Sequence, residues 1–325
     1  MIVVTGAAGF IGSVLVHSLN AAGRADLVVS DRLGLSEKWK NLHGKRFLEY
    51  VDHMALLEGI EAGRYDRESI EAVLHIGART DTTEKDAALL MRLNFDYSRR
   101  LCHWAHRRGV RFIYASSAAV YGDGSLGFSD ADDLTPKLRP STPTGFTKWL
   151  FDHWVLQNGL EKSVAGLRFF NVYGPNEYHK GRMASVVFHA FPNAAKDGIV
   201  KLFESDRAGI GHGEQKRDFV FVRDVSRVVE HLLANPKVNG IFNLGSGKAR
   251  AFNDLGRALL KACDKPASGI RYFPMPDDLK GKYQYFTEAD LSRLRAAGFA
   301  APMTSLEDGV ADYVRNHLRA ADPIL

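Results

Sequence analysis

Apolar runs alternate with longer amphipathic stretches through the first half of the chain, the pattern of parallel strands joined by crossover helices. Strands are predicted at Ile2 to Thr5, Asp26 to Ser30, Arg46 to Val51, Ala72 to His75, Arg111 to Ala115 and Val164 to Arg168. Helices are predicted near Phe10 to Ala22, Asp86 to Arg108 and Gly145 to Asn158. Strands buried on both faces need continuous apolar runs, and right-handed crossovers place helices on either side. The expected class is α/β, a doubly wound parallel sheet. From about Asn171 the rhythm breaks: glycine and charge gather at Asp206 to Lys216, and Pro274 to Lys282 is irregular and polar. A smaller mixed α/β lobe is expected there, while the runs Asp218 to Val222 and Ile241 to Leu244 are expected to return to the main sheet.

The first strand runs straight into Thr5-Gly6-Ala7-Ala8-Gly9-Phe10-Ile11-Gly12 and an amphipathic helix. In that context the glycine spacing is a dinucleotide-binding turn of the Rossmann kind. Gly6 permits the tight turn, Gly9 leaves room for a pyrophosphate, and Gly12 lets helix and strand approach. The amides at Phe10 and Ile11 then face the anion. Domain limits follow as residues 1–170 plus about 221–250 for the dinucleotide and about 171–220 plus 251–325 for the substrate. The second strand ends at Ser30-Asp31-Arg32, where a ribose discriminator belongs. Asp31 suits the 2′-hydroxyl of NAD, whereas Arg32 and Lys38 suit a 2′-phosphate. NADP is expected, with NAD as the alternative. Gly77 and Ala78, closing the fourth strand, and Asn94 on the next helix complete the cofactor set. His75 reads as a hydrogen-bonded structural residue.

Composition narrows the picture only modestly. The 325 residues are 45% hydrophobic and 25% charged, which excludes a disordered or collagen-like chain. A net charge of +5 suits an anionic ligand, but no basic run is dense enough to predict nucleic-acid binding. Cys102 and Cys263 are far apart and lack metal-ligand spacing, so neither a metal site nor a disulfide scaffold is expected. With no leader pattern and no run of apolar residues long enough to span a bilayer, a cytoplasmic protein without membrane contact is expected.

The glycine turn, Tyr114-Ala115-Ser116-Ser117-Ala118-Ala119-Val120-Tyr121-Gly122 and a downstream Lys148 make the chain resemble an extended short-chain dehydrogenase/reductase over nearly its whole length. Three further stretches resemble the ADP-L-glycero-D-manno-heptose 6-epimerase family: Arg168 to Pro175 with His179-Lys180-Gly181 and Met183 to Val186; Lys216 to Val220; and Leu279 to Gln284. The resemblance implies inversion at C6 of an ADP-bound heptose, in lipopolysaccharide precursor synthesis, by transient oxidation with no net redox change. It also implies a homo-oligomer, a pentamer in that family. Ser117 takes the place of the hydroxyl on the reacting oxygen, Lys148 that of the lysine on the nicotinamide ribose, and Lys180 that of a second acid/base group. Asn171, Arg182, His189, Arg217, Tyr283 and the segment Phe203-Glu204-Ser205 fall at substrate positions. Tyr121 is a candidate to stack near the cofactor.

One position departs from the family. Its catalytic tyrosine should stand four residues before Lys148, and Thr144 is there instead. A neighbouring lysine can draw a phenol toward neutral pKa, but it cannot do so for an aliphatic alcohol. An epimerase with impaired turnover is expected. The alternatives are another nucleotide-sugar epimerase or dehydratase and a non-catalytic sugar-nucleotide-binding protein. Ala118-Ala119 after Ser117 argues against the dehydratase, which resembles this family but carries an acidic pair there.

Overall fold

Seven parallel strands form the centre of the computed structural model, which describes residues 1–81, 84–277 and 284–325. In chain order the first elements are β1 (Ile2–Thr5), α1 (Phe10–Ala21), β2 (Leu27–Asp31), β3 (Glu49–Asp52), α2 (His53–Glu61) and β4 (Ala72–His75). Then come α3 (Ala87–Leu90), α4 (Tyr97–Arg107), β5 (Arg111–Ser117), α5 (Pro143–Gln157), β6 (Val164–Phe169) and β7 (Asn171–Tyr173). The remainder holds α6 (Val186–Asp197), β8 (Val200–Phe203), β9 (Lys216–Phe221), α7 (Val222–Ala234), β10 (Gly240–Leu244), β11 (Ala249–Ala251), α8 (Phe252–Ala262), β12 (Ile270–Phe273), α9 (Ser292–Ala296) and α10 (Leu306–Tyr313). The main sheet runs β10-β6-β5-β4-β1-β2-β3, and its order reverses at β1 and β4. Thr5 therefore lies beside both Ser30 and His75, which gathers the carboxyl ends of three strands at the switch point.

Alternate residues of these strands serve two cores. Val3, Val28, Val73 and Phe112 pack with residues of α2 and α4, while Val4, Val29, Leu74 and Ile113 pack with residues of α1 and α7. Burial on both faces explains why the strands read as unbroken apolar runs. The predicted helix at Asp86 to Arg108 contains a π-helical turn at Met91–Asp96, between α3 and α4. A turn of that kind re-aims side chains locally, and Asn94 within it is buried.

Of the two runs expected in the main sheet, Gly240–Leu244 joins it beside β6. The other does not. β9 pairs parallel with β7 and antiparallel with β11 in a separate three-stranded sheet. Its Val220 faces the main core, whereas Phe219 and Phe221 face a second core with Leu255 of α8 and Val310 of α10. Lying between two cores gives β9 the same apolar pattern as a central strand. β8 and β12 form a third, parallel pair. Among the described residues no helix is long and apolar enough to cross a membrane.

Candidate active site

The glycine turn is built so tightly that side chains have no room. Gly6 has φ +68°, and a Cβ there would lie 2.6 Å from the Gly77 Cα. A Cβ on Gly12 would lie 2.1 Å from the Gly6 carbonyl oxygen. Thr5 and His75 fix this floor from beneath: Thr5 Oγ1 is 2.8 Å from His75 Nδ1 and accepts from the Gly77 amide, and His75 Nε2 is 2.7 Å from Ser98 Oγ. Burial pushes the His75 pKa down to about 3, which leaves a neutral ring spanning β1, β4 and α4. No side chain caps the start of α1, so its first amides are left to meet an anion. This cradle fits the pyrophosphate of a dinucleotide.

A cavity of about 400 Å³ continues from the turn, lined by Gly6, Asp31, Arg32, Lys38, Gly77 and Ala78. Asp31 folds its carboxylate back into the turn. Oδ2 accepts from the amides of Ala8 and Gly9, and Oδ1 accepts from the Arg32 amide at 2.7 Å and Lys38 Nζ at 2.6 Å. His53 and Tyr97 also line the cavity and were missed from sequence, although Tyr97 follows Asn94 by three residues on the same helical run. Asn94 itself bonds the Arg79 amide and carbonyl and Thr147 Oγ1, so it supports the wall.

Ser117 ends β5, and its Oγ accepts from the Ala119 amide at 3.1 Å. The first turn of α5 seats against that segment, since a Cβ on Gly145 would lie 2.9 Å from the Ala119 carbonyl oxygen. Close approach brings Lys148 to β5. Lys148 is buried and donates from Nζ to the Ala115 carbonyl at 2.7 Å. Burial lowers its pKa to about 8 despite the opposing pull of Asp152. Thr144 donates from Oγ1 to the Asp81 carbonyl at 3.1 Å.

One turn beyond Lys148 lies a polar network that the sequence reading did not find. Asp152, fully buried, accepts from Tyr114 OH at 3.0 Å, Ser116 Oγ at 2.8 Å and Arg168 Nε at 2.9 Å. Arg168 also donates to Tyr121 OH and Thr135 Oγ1. Tyr121 donates on to Asn243 Oδ1, so its hydroxyl belongs to this network. A lone arginine in an otherwise apolar strand was the available signal, because such a charge must be paired when buried.

Lys180 comes from a short helical turn, Tyr178–Met183, and its Nζ lies 5.1 Å above the Phe10 ring. Burial lowers its pKa, with Glu177 opposing. Glu177 is buried, accepts from the Ser185 amide and hydroxyl at 2.6 Å each, and has its own pKa raised by burial.

The substrate-side candidates are more dispersed. Asn171, Arg182 and His189 are exposed, Phe203 lies tilted against Phe273 with ring centroids 5.0 Å apart, and Glu204 and Ser205 follow it at half-buried positions. Arg217 is buried on β9. Its neighbour Asp218 spends its carboxylate on the Ser246, Gly247 and Ala289 amides. Tyr283 lies outside the described residues.

Residues 2–245 match the NAD dependent epimerase/dehydratase family. The chain is 49% identical, over the full length of both sequences, to an ADP-L-glycero-D-manno-heptose-6-epimerase of Nitratidesulfovibrio vulgaris strain DP4. It is also similar to the crystal structure of the Helicobacter pylori ADP-L-glycero-D-manno-heptose-6-epimerase, with a TM-score of 0.79 and 30% identity over 97% of this chain and 95% of that one. A Thermus thermophilus UDP-glucose 4-epimerase solved with NAD matches with a TM-score of 0.77 and 26% identity, covering 98% of this chain and 99% of that one. With a glycine cradle, Ser117 at the end of β5, Lys148 bonded to the same strand and relatives of this kind, the chain belongs to the NAD dependent epimerase/dehydratase family, among its ADP-L-glycero-D-manno-heptose-6-epimerase members.

Proposed function

We propose that the chain inverts C6 of ADP-D-glycero-D-manno-heptose to give the L-glycero epimer, and that Thr144 slows the proton transfers. The observation that carries this reading is the seating of α5 on the end of β5, which bonds Lys148 to the Ala115 carbonyl two residues before Ser117 and sets position 144 in the first turn of the same helix. When bound, the dinucleotide supplies a hydride acceptor and donor, so the carbinol carbon can pass through a ketone with no net redox change. Ser117 Oγ hydrogen-bonds the reacting oxygen, and Lys148 holds the nicotinamide ribose. Lys180, with its amine partly desolvated, moves the proton on the oxygen. Thr144 can donate or accept a hydrogen bond but stays an alcohol at neutral pH.

NADP is the proposed cofactor. Asp31 already accepts from four donors, and Arg32 and Lys38 stand beside it to meet a 2′-phosphate. Gly9, Phe10, Ile11 and Gly12 would hold the pyrophosphate, with Gly77 and Ala78 beneath the dinucleotide and Asn94 supporting that wall. Asn171, Arg182, His189, Phe203, Glu204, Ser205, Arg217 and Tyr283 are proposed for the ADP-heptose, and the arginine forks suit its diphosphate. Residues 1–170 plus about 221–250 would bind the dinucleotide, and the rest the sugar nucleotide. The protein would work as a cytoplasmic homo-oligomer. Incubation of the purified chain with ADP-D-glycero-D-manno-heptose, followed by proton NMR of the C6 configuration, tests this. Slow inversion is expected, and binding with no inversion at high enzyme concentration would contradict it.

A further inference from the structure

Three segments that are distant in sequence meet at a single buried amide, that of Asn41. It lies on the 3₁₀ turn Glu37–Leu42 and is almost wholly buried. Its Nδ2 is 3.0 Å from the Ala8 carbonyl of the glycine turn and 3.0 Å from the Asn176 carbonyl, at the base of the segment that carries Lys180. The same atom is 3.3 Å from His179 Nδ1. Burial, with help from Lys38 and Lys180, pushes the His179 pKa down to about 4, so at neutral pH the ring is uncharged.

The segment beyond Asn176 has little regular structure to hold it. Asn176 has φ 74° and Gly181 has φ 52°, so the chain turns sharply on both sides of Lys180. Contacts to α1 and to Asn41 hold it, beside the Glu177 bonds to Ser185 and the bond from the Tyr178 hydroxyl to the Pro323 carbonyl. Asn176 Nδ2 donates to Ser13 Oγ at 2.9 Å, and Lys180 Nζ rests over Phe10. Lys38, three residues before Asn41 on the same short turn, reaches Asp31 at 2.6 Å. The turn thus ties the adenosine end of the cofactor cleft to the Lys180 segment.

We infer that Asn41 is a positioning residue: its two amide donors hold the Lys180 segment against the glycine turn, and so set where the Lys180 amine sits. This rests on the reading of Lys180 as the proton-moving group. The charged group acting on that amine is Glu177 on its own segment, while Lys38 and Asp31 act on the neighbouring His179, and none of them is altered by substituting Asn41.

Asn41→Leu keeps the shape and removes both donors. Asn41→Ser keeps one short donor and guards against a variant that fails to fold. The readout is the pH midpoint for modification of each lysine by an amine-selective reagent, scored by peptide mass spectrometry on the protein as purified. Lys180 in Asn41→Leu should move up by about one unit as water reaches it, with a smaller rise in Asn41→Ser. Lys148, buried on α5 and bonded to the Ala115 carbonyl, should keep its midpoint and serves as the internal reference. In turnover, kcat should fall about tenfold with KM for the sugar nucleotide within about twofold. An unchanged Lys180 midpoint in both variants overturns the inference, and so does an equal shift at Lys148, which would mark general loosening. Failure of the epimerase reading would show in the unsubstituted chain's NMR assay and leave the lysine midpoints to report on Asn41.

Discussion

Two lysines flank the candidate site, and they are held in opposite ways. Lys148 projects from the first turns of α5, bonds a strand carbonyl, and stands one turn from an ion pair with no exposed surface. Lys180 projects from a short turn between two positive-φ residues, lies over the Phe10 ring of α1, and is held by contacts of its turn to α1 and to Asn41. Burial lowers both pKa values, and each has one carboxylate opposing it, Asp152 or Glu177. The difference is in stiffness. On the proposed roles, the group that would orient the cofactor is built into helix and strand, whereas the group that would meet the reorienting substrate sits on a short irregular turn. The site therefore has a rigid half and an adaptable half.

Breaking the rigid half should cost the most. Arg168→Met leaves Asp152 buried without its cation and should lower stability by about 3–5 kcal/mol in denaturant unfolding. A loss below about 1 kcal/mol would mean that the network is not the support described. The pH response of Lys148 comes next. Because its folded pKa of about 8 lies below the ordinary 10.5, the folded state holds the proton less well than the unfolded chain does. Its burial penalty is thus fully present below pH 8 and is relieved as pH rises toward 10.5, by on the order of 3 kcal/mol. The stability of Lys148→Met, relative to the unsubstituted chain, should fall by that amount across the same window, and a flat difference would refute the assignment.

Disturbing the adaptable half should cost less. Glu177→Gln preserves size and keeps one acceptor for the Ser185 amide, while its new amide group can donate to the Ser185 hydroxyl in place of the bond it received, so unfolding should lose only about 1–2 kcal/mol. A loss matching that of Arg168→Met would erase the contrast between the two halves. The smallest effect is expected at the cofactor rim, where Arg32→Ala should weaken NADP about tenfold in a fluorescence titration and leave NAD within about twofold. Equal weakening of both would remove Arg32 from the discrimination.

Much of the rigid half was legible in the sequence. The strand, glycine turn and helix of residues 2–21 occur as read, because their local pattern and their packing make the same demand. Lys148 is brought to the strand that ends in Ser117 by a helix seated on the strand end, geometry that the short spacing of elements nearly dictates. The Asp152–Arg168 pair went unread because its members are 16 residues apart and meet only when α5 and β6 pack. β9 was misplaced because burial between two cores and burial within one sheet give the same apolar run. Asn41 offered no signal at all: an asparagine in a charged loop looks solvated until the chain around residue 176 closes over it.

The most direct test of the account is the epimerisation rate of Thr144→Tyr beside that of the unsubstituted chain, both followed by proton NMR at C6 of ADP-D-glycero-D-manno-heptose. Restoring a phenol beside Lys148 should raise turnover by about a hundredfold to ten-thousandfold while dinucleotide affinity stays within about twofold. Equal rates in the two proteins would contradict the claim that Thr144 limits the chemistry.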